Sequence, residues 1–169
     1  MHPSLIFAQQ LIKLSNQLLE LEAESLPAYI GLFLSNAART ELLTKVTPGH
    51  IDLHADHVTV LHAGEAPSKV DFVNSLAKVK SLFKPGDTVD IKVLGMVNDA
   101  DAQAVVVELP PALANLNPGK IFHITISTAT GVPPKYSNEL VQNTELDTSH
   151  PPFPFIIKGT VDTFPSGKL

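Results

Sequence analysis

Apolar residues recur at helical spacing from the start of the chain. Leu5, Ile6, Leu11, Ile12, Leu14, Leu18, Leu19 and Leu21 predict one amphipathic helix over about residues 3–23, ended by Pro27. Residues 28–34 (AYIGLFL) form a short apolar run that reads as a buried strand. Ser35 or Asn36 then caps a second helix running to about Val46, with Leu42, Leu43 and Val46 on one face, and Pro48-Gly49 marks a turn. From His57 the period changes to two. His57 and Thr59 share one face of a strand, and Val58 and Val60 share the other. After Gly64 and Pro67, the spacing of Val70, Val73, Leu76, Val79 and Phe83 predicts a third helix closed by Pro85-Gly86. Strands follow over 88–97 and 102–109, joined by a hairpin turn at 98–101 and ended by Pro110 and Pro111. Residues 120–127 (KIFHITIS) alternate again, placing His123 and Thr125 opposite Ile124 and Ile126. A Gly- and Pro-containing loop spans 128–137, residues 138–142 suit a helical turn, 150–154 a stiff extended stretch, and 155–164 a last strand.

Strands mixed with helices in this order predict an α+β domain built on largely antiparallel sheets. No long polar linker or low-complexity tract interrupts the 169 residues, so 1–169 reads as one domain. Residues 1–26 form its leading helix, whose Leu/Ile face is expected to pack on the rest.

Composition narrows the class. A hydrophobic share of 44% with 17% charged residues suits a globular chain. No apolar run is long enough to span a bilayer, and the N-terminus lacks a basic segment followed by an apolar stretch, so neither membrane nor secretory leader is expected. The absence of cysteine excludes disulfides, thiolate metal sites and a cysteine nucleophile, and suits an intracellular protein, cytoplasmic or nuclear. A net charge of -5 argues against a broad basic face for long nucleic acid. A nucleic-acid substrate would be gripped locally, at an end or as a small fragment, or brought by a partner.

One internal repeat bears chemistry: His57-Val58-Thr59-Val60 and His123-Ile124-Thr125-Ile126. A single His-x-Thr on a strand carries no information; two in the same alternating context do. Opening a cyclic phosphodiester with water needs a base for the nucleophile's proton and an acid for the departing ribose oxygen. Histidine, with an unperturbed pKa of about 6.5, supplies both forms near neutrality. A threonine two residues on, facing the same way, can donate to a non-bridging phosphoryl oxygen. No metal or other cofactor is required. Spacing alone leaves the roles interchangeable; His57 is taken as the acid and His123 as the base.

These paired motifs resemble the two-histidine (2H) phosphoesterase superfamily, and the continuation Ser127-Thr128-Ala129…Gly131-Val132-Pro133-Pro134-Lys135-Tyr136-Ser137-Asn138 resembles the cyclic phosphodiesterase module of tRNA-ligase-type RNA repair enzymes. The resemblance implies a bilobal fold, with two pseudo-symmetric antiparallel β-sheets flanking a central cleft and helices outside. It implies catalysis by His57, Thr59, His123 and Thr125 on 2′,3′-cyclic phosphates of RNA ends or nucleotides. Partners would be an RNA 3′ end or a cyclic nucleotide, the chain acting as a monomer or within a larger RNA-repair enzyme. One departure is that the first motif continues Leu61-His62, where many members carry an aromatic residue.

Other candidates carry competing readings. Ser127, on the face of Thr125 by alternation, is either a further phosphate donor or a sheet-edge hydroxyl. Lys135 and Tyr136 would clamp a phosphate and stack on a base, or belong to a solvated loop. Tyr29 either lines the cleft or fills the core. Arg39 reads as an exposed helix residue. His54 and His62 fall on the face opposite His57 if the strand is straight, which speaks against a histidine metal site. A cleft that binds nucleotides or RNA ends without turning them over is the alternative from another class, and an interaction domain using the leading helix is a third.

Overall fold

The computed structural model describes residues 3–24 and 26–169, with the side chains of 4–17 and 26–169. Helix α1 (Pro3–Glu24) is as expected in extent, but its face is not covered: Leu5, Phe7, Leu11, Ile12 and Leu14 are all exposed, Phe7 at 64%. The side chains of Leu18, Leu19 and Leu21 lie outside the described residues. The expectation that this helix packs on the domain is therefore corrected for residues 4–17, whose apolar side chains stay exposed among the described residues. Among the described residues no helix is long and apolar enough to cross a membrane.

Strand β1 (Tyr29–Phe33) leads into α2 (Asn36–Lys45), capped by the Ser35 side chain, which accepts from the Ala38 N–H. A two-residue strand, β2 (Asp52–Leu53), precedes β3 (His57–His62). Helix α3 (Lys69–Leu82) is capped by Ser68 and buries Phe72, Leu76 and Val79. The hairpin β4 (Thr88–Asn98) and β5 (Ala102–Glu108) leads through a short helix α4 (Pro111–Ala114) to β6 (His123–Thr128). A 3-10 turn at Pro134–Tyr136 runs into α5 (Ser137–Asn143), and β7 (Phe155–Phe164) ends the fold. Residues 150–154, expected to be extended, form turns in which the bonds before Pro151 and Pro154 are cis.

The fold is α+β, with one open antiparallel sheet in the order β2-β6-β5-β4-β7-β1-β3. The two sheets expected from the resemblance are joined edge to edge, because β7 pairs with β1 on one side and with β4 on the other. The first and last strands of that order are pieces of the same segment. After β2 leaves β6, the N–H groups of His54 and Ala55 still donate to the carbonyls of Ile126 and Thr125 (2.9 and 2.8 Å) before the chain enters β3. The ends of the sheet thus come together around one core. Ile30, Leu32, Val58, Val60, Ile91, Val93, Ile124, Ile126, Ile157 and Val161 supply its sheet side, and Leu42, Phe72, Leu76 and Val79 its helical side.

Candidate active site

Each motif opens a strand, and burial follows the predicted alternation at first. Val58, Val60, Ile124 and Ile126 are fully buried, while His57, Thr59, His123 and Thr125 are half-buried on the other face. There they line one cleft of about 560 Å³. The strands then break step at the same place. Against β1, the register jumps from Thr59 to Leu61, and against β5 from Thr125 to Ser127, so the fourth residue of each motif is skipped. The repeat therefore extends to the backbone irregularity after it.

Those two shifts decide which neighbours reach the cleft. His62 is carried onto the His57 side and lines the cleft, contrary to the straight-strand expectation. Ser127 is carried away from it. Its side chain is fully buried, donates to Gln103 Oε1 (3.1 Å) and accepts from the His50 N–H (3.2 Å), so it is not a phosphate donor. His54 also lines the cleft, because Ala55 adopts a left-handed conformation (φ 56°) that turns the chain between β2 and β3. The His54 ring sits 3.0 Å from Thr128 Oγ1. Arg39 is not a free surface residue: its Nε and Nη2 donate to the His54 carbonyl (3.0 and 2.8 Å), and Nε lies 3.6 Å from Asp56.

Tyr29 lines the cleft, its ring stacked on that of His57 at 5.2 Å, with Phe33 on His57 at 5.6 Å. Lys135 also lines it, but Tyr136 does not. Successive side chains of a 3-10 turn point about 120° apart, and the Tyr136 hydroxyl donates to Asp99 Oδ2 (2.7 Å) in the β4–β5 hairpin. That bond pushes the phenol up to about 12. The expected base-stacking role for Tyr136 is corrected accordingly. The sequence reading also missed Asp56, Glu65, Lys120 and Asn138, all in the cleft wall. Each lies in or beside a loop, where no periodicity announces direction; only the polar character of the segments flanking each motif pointed there.

The imidazoles sit in different surroundings. The His123 Nδ1 lies 3.1 Å from the Ile121 carbonyl, which can only accept, so Nδ1 carries hydrogen and Nε2 is left for the cleft. Burial lowers the pKa of His123, and the Lys120 ammonium adds to this, while the Ile121 bond and Glu65 pull it up. Burial also lowers His57, with His123 and His54 in the same direction and the Asp56 carboxylate opposing them. Folding therefore favours both neutral rings. Their contribution to stability is complete above the unfolded value of about 6.5 and is lost as pH falls through the folded values. In a ¹H NMR titration, both imidazole midpoints are expected below 6.5; a midpoint at or above it would contradict this burial.

Two strands presenting His-x-Thr to one cleft define the two-histidine class of phosphoesterases. Within that class the chain belongs to the family of fungal tRNA ligase phosphodiesterase domains, whose model matches residues 51–152, more than half of the sequence. The match takes in both motifs, and leaves β1 and β7 outside. No curated protein matches the chain by sequence. A solved structure described as "Crystal Structure of Fungal RNA Kinase" is similar at 18% identity with a TM-score of 0.48, over 81% of this chain and 42% of that one. The chain spans less than half of that protein's length.

Proposed function

We propose that this cleft hydrolyses 2′,3′-cyclic phosphates on RNA ends or nucleotides, in RNA processing or repair of the tRNA-splicing kind. The observation that carries the reading is the convergence of His57, Thr59, His123 and Thr125 from two strands onto one cleft. Water attacks phosphorus as His123 Nε2 takes its proton. The bond from phosphorus to one ribose oxygen breaks, and His57 gives that oxygen a proton, leaving a phosphomonoester and a free hydroxyl. Solvent exchange then restores both rings. The fixed Nδ1–H of His123 favours it as the base. Burial lowers His57, but the Asp56 carboxylate opposes it, and a bound phosphodiester anion beside the ring raises its affinity for the proton it must give.

Thr59 and Thr125 would donate to the non-bridging oxygens. Thr125 Oγ1 lies 3.0 Å from Ser137 Oγ, a partner able to donate back when Thr125 turns its hydrogen to phosphate. Lys135 adds a cation, and Tyr29 offers a ring edge to a base. The test is incubation with EDTA and each 2′,3′-cyclic mononucleotide, alongside a short RNA ending in a cyclic phosphate. Turnover that survives EDTA, with the product identified against 2′- and 3′-phosphate standards, is expected. Binding of a 2′-phosphorylated nucleotide with no turnover at any pH would replace this reading with a non-catalytic one.

A further inference from the structure

One carboxylate ties the two half-sites together. Glu65 stands in the loop after β3, three residues beyond His62, and its oxygens accept from donors on both sides of the cleft. Lys120 Nζ lies 2.9 Å from each oxygen. Asn117 Nδ2 donates to Oε2 at 3.0 Å, and the His62 backbone N–H donates to the same oxygen at 3.1 Å. Asn117 also reaches the Val60 carbonyl in the first motif (3.4 Å). The Lys120 side chain is 12% exposed and that of Glu65 38%, so the ammonium is withdrawn from water while the carboxylate stands at the rim. Burial by itself would raise Glu65, but these donors hold its carboxyl below the usual range.

The residue after Lys120 is Ile121, whose carbonyl holds the His123 Nδ1–H. The segment carrying that carbonyl has its side chains anchored to the end of the first motif strand, through Asn117 and Lys120. We infer that Glu65 is a positioning residue that locks the two histidine half-sites together and sets the His123 ring through Lys120 and the Ile121 carbonyl. The effect on turnover rests on the two-histidine reading above; the effect on the ring does not.

Two charged groups act on His123 directly, Lys120 on its own approach and Glu65 on the β3 side, with the His57 ring across from it. His54, Asp56, His62 and Lys135 line the rest of the same cleft. Removing the Glu65 charge leaves the Lys120 ammonium uncompensated beside the imidazole, whereas removing Lys120 leaves the carboxylate. The two changes must therefore move the ring in opposite directions, which general loosening of the loop would not do.

The experiment compares full-chain wild type, Glu65→Gln, Glu65→Asp and Lys120→Met. ¹H–¹⁵N long-range spectra would give the tautomer and titration midpoint of His123, with kcat and KM for a 2′,3′-cyclic nucleotide measured in parallel. Expected are a lower midpoint in Glu65→Gln, a higher one in Lys120→Met, and partial return in Glu65→Asp. In Glu65→Gln and Lys120→Met kcat should fall about tenfold with little change in KM, and Glu65→Asp should recover part of that loss. An unchanged His123 midpoint and tautomer in Glu65→Gln, or shifts of the same sign in both charge variants, overturns the inference. Wild type that shows the expected ring behaviour but turns over no cyclic phosphate overturns the functional reading instead.

Discussion

Alanine at His123 is expected to lower kcat on a 2′,3′-cyclic nucleotide by about 10³-fold, and alanine at His57 by a similar factor, since loss of a general acid or base costs about 10²–10⁴. The fold should survive both. Among the described residues the one side-chain hydrogen bond at stake is that of His123 to the Ile121 carbonyl, and burial favours both neutral rings. The double variant should lose little more than either single one, because the two proton transfers serve the same displacement at phosphorus and the rings act as a unit. An aryl phosphodiester separates the roles, because a phenolate departs without needing a proton. With that substrate the His57→Ala deficit should shrink to about tenfold while the His123→Ala deficit persists. The opposite pattern would exchange acid and base; full activity in the double variant would end the two-histidine reading.

Gly31→Ala is expected to lower stability by about 2 kcal/mol, the typical cost of forcing an extra carbon into packed structure. An added Cβ would stand 2.9 Å from the Val58 carbonyl oxygen and 3.3 Å from both the Phe33 and Tyr29 rings. The first contact is with backbone of the motif strand, so relief requires β1 and β3 to part. Gly31 also borders the register shift that brings His62 to the cleft. Turnover should therefore fall with stability, because the two rings stacked on His57 are the ones displaced. Thermal unfolding should show a Tm lower by about 4–8 °C. An unchanged Tm and kcat would mean that β1 and β3 tolerate more separation than their contact distance allows.

Much of the fold was legible because local rules decide it. Ser35 caps a helix, Pro27 and Pro85 bound helices, and 98–101 turns the hairpin, all within a few residues of sequence. The cleft-facing assignment of His57, Thr59, His123 and Thr125 was legible for the same reason, since a strand alternates as long as its pairing is regular. It failed just beyond, at Ser127 and His62, where one skipped residue inverts every later side chain. A skipped residue is set by the partner strand, so nothing in either tetrapeptide announces it. His54 was misplaced by the positive φ of a non-glycine residue, Ala55, which only the hydrogen bonds to β6 and the Arg39 clamp enforce. Glu65 and Lys120 were invisible because their meeting depends on the β3 and β6 ends of the sheet coming together. The leading helix shows the converse: its periodicity declared an apolar face, but periodicity does not say what covers it.

The segment that begins as the partner of β6 and ends as the partner of β1 makes the sheet a belt whose buckle is covalent. Residues 54–56 are that buckle, pinned by two backbone bonds to β6 and by the Arg39 guanidinium. A belt fastened in this way does not gape. At this side the halves of the cleft are tied through residues 54–56 by those bonds. Lengthening the buckle by even one residue would slacken the whole circumference and let the two histidines drift apart, although neither motif had been altered.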